Sequence, residues 1–405
     1  MPQLKPRPAD PHERRAILKA RRELKMARSA HAYVRGSTER FYQWIDATPA
    51  THLPAGPSVW ICGDCHVGNL GPVGRCEGAA VVELRDLDQA VIGNPAYDIA
   101  RLALSLAMAA RGASLPGVTT ARMTEDLVAG YEDAFAGDVP GESLAELPQP
   151  IKVVMKRALK RSWKHLFDDL GEMRATLPLG RRFWPPSSAV REAVERLVAT
   201  SMVRRLVRQL DCRDDDGEVR LADAAYWVKG CSSLGLWRGA ALLEVDGDKG
   251  ARYCLVDIKQ AVDPHAPHAP SASVPQHHGE RVVTAAQRLA PSLGERMAAG
   301  TLLERDVFVR ELLPQDLKVE LDALTAVEGR AVAHYLGMVV GRAHGRQMDA
   351  TTRAAWKREM ASYRTKNIDA PSWLWQSVVE LVAVHERAYL EHCRLYALAL
   401  SRQEG

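Results

Sequence analysis

The amino-acid sequence predicts an α+β fold. Residues 218–262 alternate with the period of two that strands require, and long helical periodicities lie on both sides of them. The scale agrees. A chain of 405 residues, 46% apolar and 26% charged, has room for a real core and for two to three structural units.

Taken in order, Pro2, Pro6, Pro8 and Pro11 predict a flexible start, and a charged helix follows over 12–28. In SVWICGDCHVGNL, residues 58–70, a short apolar run breaks into a polar loop, and AAVVELRDLDQA, residues 79–90, reads as a buried strand ending in acids. Asn94-Pro95 then turns the chain into a helix over 96–111, with Ile99, Leu102, Ala103, Leu106 and Ala110 on one face. Helical periodicity returns at 121–136 and 189–210, with a basic helix over 151–167 between them. The strands are Tyr226-Trp227-Val228, Leu234 to Val245 and Tyr253 to Ile258, the last two joined by an Asp-Gly hairpin signal at 246–250. A His- and Pro-rich loop over 263–278, a helix over 279–292 and a strand from Asp306 to Leu313 complete this part. Helices over 323–347, 351–362 and 372–400 close the chain. The boundaries that follow are 1–57, 58–216, 217–315 and 316–405.

Composition excludes several classes. With 29 Gly, 23 Pro and 7 Cys, the chain is not collagen-like, disordered or a disulfide scaffold. A net charge of +4 is too mild to argue for nucleic acid, and the basic helices lack the interleaved aromatics of a known module. No apolar run reaches the roughly 18–20 residues of a spanning helix, so no membrane partner is expected. The N-terminus has no signal-like stretch; a cytoplasmic protein with free thiols is the expectation.

The densest chemistry lies in Gly63-Asp64-Cys65-His66-Val67-Gly68-Asn69, followed by Asp86-Leu87-Asp88. An Asp and an Asn five apart in a tight loop face one small volume, and carboxylates from the next strand close it. Oxygen ligands of this kind suit Mg²⁺, which keeps waters and takes substrate phosphates. Phosphoryl transfer needs such a set: a carboxylate for the hydroxyl proton, metal ligands and a phosphate cradle. Other ligand sets are weaker. Cys62, Cys65, His66 and Cys76 have zinc-like ligand types but no second paired motif, and the haem-like C-x-x-C-H string would require export. His265, His268, His277 and His278 read as a loop.

The Gly63–Asn69 loop, with Asp86 and Gly93-Asn94-Pro95-Ala96-Tyr97-Asp98 after it, resembles the catalytic loop and metal-binding motif of aminoglycoside phosphotransferases and choline-kinase-like enzymes. Over most of its length the chain also resembles a bacterial family of domains of unknown function, through Arg35-Gly36, Cys62 to His66, Asp86 to Asp88 and Gly230 to Gly235. The kinase resemblance implies a two-lobe fold, with a small β-rich ATP lobe and a large helical lobe. It implies Asp64 and His66 as catalytic residues and Asn69, Asp86 and Asp88 as Mg²⁺ ligands. A kinase also needs a glycine loop and a lysine for the phosphates. Nothing before residue 62 supplies them. Later come Gly230, Ser232, Ser233 and Gly235, then Lys259, Glu280 as its partner, and Val309-Arg310-Glu311-Leu312 as the strand leading to a hinge, with Glu311 and Leu312 at the nucleotide. The helix over 331–347 resembles the one that normally leads into the catalytic loop. The elements are therefore in circularly permuted order. The function implied is an ATP- and Mg²⁺-dependent phosphotransferase, whose partners are a nucleotide and a hydroxyl-bearing acceptor. Cys62 and Ser232 depart from the pattern. They keep an inactive nucleotide-binding or interaction module open; a kinase-like AMP transferase, using the same residues with ATP reversed, is the other alternative.

Overall fold

The computed structural model describes residues 14–49, 52–75, 78–136, 143–170, 176–208, 218–231, 234–246, 252–270, 272–319, 321, 324–363 and 372–404. The expected flexible start, Ser232, Ser233, Cys76 and most of the 246–250 turn lie outside them.

The fold is α+β. It opens with helices α1 (Arg14–Ala27), α2 (Ala30–Gly36) and α3 (Thr38–Ala47). Four short strands surround the motif-bearing loops: β1 (Val59–Ile61), β2 (Leu70–Gly74), β3 (Ala80–Leu84) and β4 (Val91–Gly93). They form two antiparallel pairs, β1 with β4 and β2 with β3. Next come α4 (Ala96–Gly112), α5 (Gly117–Asp133), α6 (Gln149–Leu159) and α7 (Trp163–Leu170). The single basic helix expected over 151–167 is thus broken between α6 and α7. Tertiary bonds explain the break: Arg161 donates to Pro314 O at 2.8 Å and accepts from Gln315 at 3.2 Å.

A two-residue strand, β5 (Phe183–Trp184), precedes α8 (Ser188–Val198) and α9 (Ser201–Arg208). The helix expected over 189–210 stops at Thr200, whose hydroxyl donates to Leu197 O at 2.7 Å and caps Val203 N–H. Then follow β6 (Val219–Trp227), β7 (Arg238–Val245), β8 (Arg252–Gln260), α10 (His278–Leu289), α11 (Pro291–Gly294), β9 (Met297–Leu302) and β10 (Arg305–Leu312). β7 starts four residues later than expected, because Leu234–Leu236 makes only an isolated bridge. The strands form one antiparallel sheet in the order β5-β6-β7-β8-β10-β9.

Period two sets the two faces of β8. Cys254, Val256 and Ile258 face a core shared with α8 and α9, so residues 188–208 pack on the sheet. Leu255 faces the other way, toward Phe183, Trp227 and Leu312, and the same alternation puts Asp257 and Lys259 on that face.

The chain ends in α12 (Ala326–Gly345), α13 (Ala350–Ser362) and α14 (Ser372–Glu404). Thr325 and Glu328 build a full capping box at the start of α12. α12 lies tight on α5, and a β-carbon on Gly337 would come within 2.1 Å of Leu127 O. These helices, with α4 and β1 to β4, share the largest apolar core. Among the described residues, no helix is long and apolar enough to cross a membrane.

Candidate functional site

After β1 the chain turns sharply at Gly63, where φ is +73° and a β-carbon would meet Gln89 O at 2.0 Å. Only glycine fits there. The loop hangs on Asp98, in the first turn of α4. Its two carboxylate oxygens accept Cys62 N–H at 2.7 Å and Gly63 N–H at 3.0 Å, and His344 Nε2 from α12 lies 3.1 Å away. Tyr42 donates to Gly63 O at 2.6 Å. One turn along α4, the buried Arg101 reaches Asp64 Oδ1 through Nε at 3.0 Å and Nη2 at 2.9 Å. Burial raises the Asp64 carboxyl above its ordinary range against the pull of Arg101. His66 is buried, with Nε2 3.8 Å from Asp64 Oδ2. Burial, then Arg101 and Arg35, hold this imidazole well below its ordinary value, so it is neutral at pH 7. Asn69 donates Nδ2–H to Asp64 O at 3.0 Å, which keeps its amide oxygen available to a ligand.

Asp86 and Asp88 leave the end of β3 and meet Lys259 from β8. The lysine Nζ lies 3.2 Å from Asp86 Oδ1 and also contacts Asp88 Oδ2. Burial works against the charged Asp86, but Lys259 and Arg238 hold its carboxyl well below the usual range. Asp88 moves the other way, raised by burial and by Asp86 beside it. Its Oδ1 is buried without a hydrogen-bond partner. Beside them, Arg238 Nε donates to Asp257 Oδ1 at 2.8 Å.

Asp64, Asn69, Asp86 and Asp88 line one cleft of about 530 Å³, together with Arg40 and Gly235. Gly230 and Gly235 adopt φ of +106° and +116°, a region that L side chains avoid. Lys25 of α1 donates to Gly230 O at 2.7 Å and anchors the turn.

Three expected placements are not formed. Glu280 is exposed, and the acids on Lys259 are Asp86 and Asp88 instead. Its neighbour Arg281 is the inward residue of α10, donating to the backbone oxygens of Ala90, Asp88 and Val262. Glu311 and Leu312 are buried within β10. The Glu311 backbone is taken by Arg296, and Leu312 packs in the core around Leu255, so neither lines the cleft. Sequence reasoning missed Arg101 and Tyr42, which carry no motif; a buried arginine in an apolar helix face was the available signal for the first. Among the described residues, no group of three or more His, Cys, Asp and Glu is placed to hold a metal ion.

A family model described as an uncharacterized protein conserved in bacteria, DUF2252, matches residues 14–395. The chain belongs to DUF2252. No curated protein and no solved structure matches it. Every residue that lines the cleft lies within the matched span, so the cleft is part of the DUF2252 domain itself.

Proposed function

We propose that this DUF2252 chain is an ATP- and Mg²⁺-dependent phosphotransferase acting on a hydroxyl acceptor, with kinase-like elements in circularly permuted order. One observation carries the reading. A single cleft gathers Asp64, Asn69, Asp86 and Asp88 with a glycine turn, and a lysine from a strand more than 170 residues away bonds the two acids.

The donor set fits Mg²⁺. Asp86, Asp88 and Asn69 offer oxygens only, the Asp88 Oδ1 has no partner, and the Lys259 ammonium already holds a positive charge between the two acids. Mg²⁺ supplies charge neutralisation on the transferring phosphoryl group. The cleft volume suits a nucleotide. Nothing lies within 4 Å of where a β-carbon on Gly235 would stand, which leaves the turn open to phosphates. Lys259 sits on the third strand of the β6-β7-β8 meander and the glycine turn joins the first two, the order in which a kinase presents them. In this reading Asp64, oriented by Arg101, positions the acceptor hydroxyl, and Lys259 moves from the acids to the α- and β-phosphates.

The permuted order has its own support. Gln347, just past the end of α12, accepts Trp60 N–H at 2.8 Å and donates to Trp60 O at 3.0 Å. The helix that would lead into the loop thus adjoins the strand that does.

Thermal melting with ATP, with and without Mg²⁺, tests the reading. Ligand at 100 times its Kd stabilises by about 2.7 kcal/mol, and Asp86→Asn is expected to abolish the Mg²⁺-dependent part. A well-folded protein with no shift at millimolar nucleotide refutes it. The mass added to an acceptor then separates phosphate from AMP transfer.

A further inference from the structure

The loop that bears Asp64 ends beside a cluster of basic residues that, among the described residues, have no ion-pair partner. Arg35 of α2 lies against Gly68, where a β-carbon would come within 2.7 Å of its Cζ. β2 continues from Asn69, and its two neighbours each bring a basic residue to that point. On one side Arg85 N–H donates to Asn69 O at 2.8 Å; on the other, Leu317 and Val319 N–H donate to Pro72 O and Leu70 O, which sets Lys318 beside the junction. Lys229, at the base of the glycine turn, stacks 4.0 Å above Trp227 and lies within electrostatic reach of Lys318.

Among the described residues, the nearby acids are already matched. Asp257 pairs with Arg238, Asp316 with Arg296, Asp64 with Arg101, and Asp86 and Asp88 with Lys259. Among the described residues, none is ion-paired with Arg35, Arg85, Lys229 or Lys318. Burial first, then the cations around it, lower the Lys318 ammonium to about 8 and push Lys229 well below its ordinary value. Arg85 Nη1 is also buried without a hydrogen-bond partner. Unmatched cations gathered in a partly desolvated place are destabilising unless an anion joins them.

We propose that Arg35, Arg85, Lys229 and Lys318 form a phosphate-binding subsite around the Asn69 end of the loop, taking a phosphoryl group that neither Mg²⁺ nor Lys259 holds. The forked guanidinium groups and the two ammonium groups suit phosphate oxygens. The phosphate belongs either to the acceptor or to the nucleotide, and that choice of source rests on the phosphotransferase reading.

Titration calorimetry of the full chain with inorganic pyrophosphate in EDTA tests the subsite without metal or nucleotide. Wild type is expected to bind. Lys318→Gln and Lys229→Gln are each expected to weaken binding about tenfold or more, and Lys156→Gln, on the exposed face of α6, to leave it unchanged. No binding by wild type, or equal binding by the folded Lys318→Gln and Lys229→Gln proteins, overturns the proposal. Repeating the titration with saturating β,γ-imido-ATP and Mg²⁺ assigns the source. Undiminished pyrophosphate binding places the phosphate on the acceptor, and competition places it on the nucleotide. If the Mg²⁺-dependent nucleotide shift is absent while Lys318-dependent pyrophosphate binding persists, the phosphotransferase reading fails and the subsite stands.

Discussion

Asp98 works entirely inside the protein. It is fully buried and bonds two backbone N–H groups and one histidine, so Asp98→Ala strands three buried polar groups at once. We expect a loss of about 3–5 kcal/mol in urea unfolding, the range for breaking a buried charged network. His385 gives a pH dependence of known sign. It is completely buried, and burial, with Arg101 and Arg40 nearby, holds its folded value down to about 3. The unfolded chain titrates near about 6.5. Between these values the unfolded state binds the extra proton. Its contribution is therefore intact above pH 6.5 and declines as pH falls toward 3, by up to about 1.4 kcal/mol per pH unit. Between pH 7 and 5.5, wild type is expected to lose about 1 kcal/mol more than His385→Asn in urea unfolding. Single residues also show where sequence reading stops. The Asp64–Asn69 loop is legible because its residue types crowd together, whereas Lys318 lies alone in a linker and acquires its neighbours only through strand pairing. The Glu280 expectation fails by one position, because one residue turns a helix by about 100° and Arg281 takes the inward place.

At the scale of elements, α12 and α5 approach so closely that their glycines act as spacers. The β-carbon of Gly337→Ala would overlap the Leu127 carbonyl, and that of Gly130→Ala the His334 carbonyl at 1.9 Å. Each variant is expected to cost about 1–3 kcal/mol by overpacking, read as a lower melting temperature with little change in helical circular dichroism. The central strands were legible because their period of two is clean and the Asp-Gly signal lies between two of them. β9, with sequence MAAGTL, was missed: small residues and a glycine give no alternation to detect, and only pairing with β10 makes it a strand. α2 and α3 are short and half-polar, and their helical form depends on packing against α4 and α14.

Across the whole molecule, the first and last described helices meet. Tyr389 donates to Ala27 O at 3.2 Å, and His392 Nε2 lies 2.9 Å from Glu23 O, so α14 braces α1. α1 in turn holds the glycine turn through Lys25. A chain ending at Glu386 is expected to keep its core but show faster amide exchange over 14–27, with several-fold weaker nucleotide binding. Unchanged exchange in α1 would contradict this brace. No sequence pattern announces such a relay, because it depends on contacts more than 200 residues apart.

The Gln347–Trp60 pair joins residues 287 positions apart, and the His344–Asp98 pair spans 246. On a ribosome, the loop carrying Asp64 emerges well before the helix that clamps it, which is made 246 residues after Asp98. While the intervening residues are made, the nascent chain therefore exposes the Asp64 loop without its brace, and the site closes only once α12 has emerged. Long-range closure of this kind is slow and leaves apolar surface unprotected meanwhile. Production of this protein should accordingly depend on chaperone supply, and its soluble yield should rise at lower growth temperature.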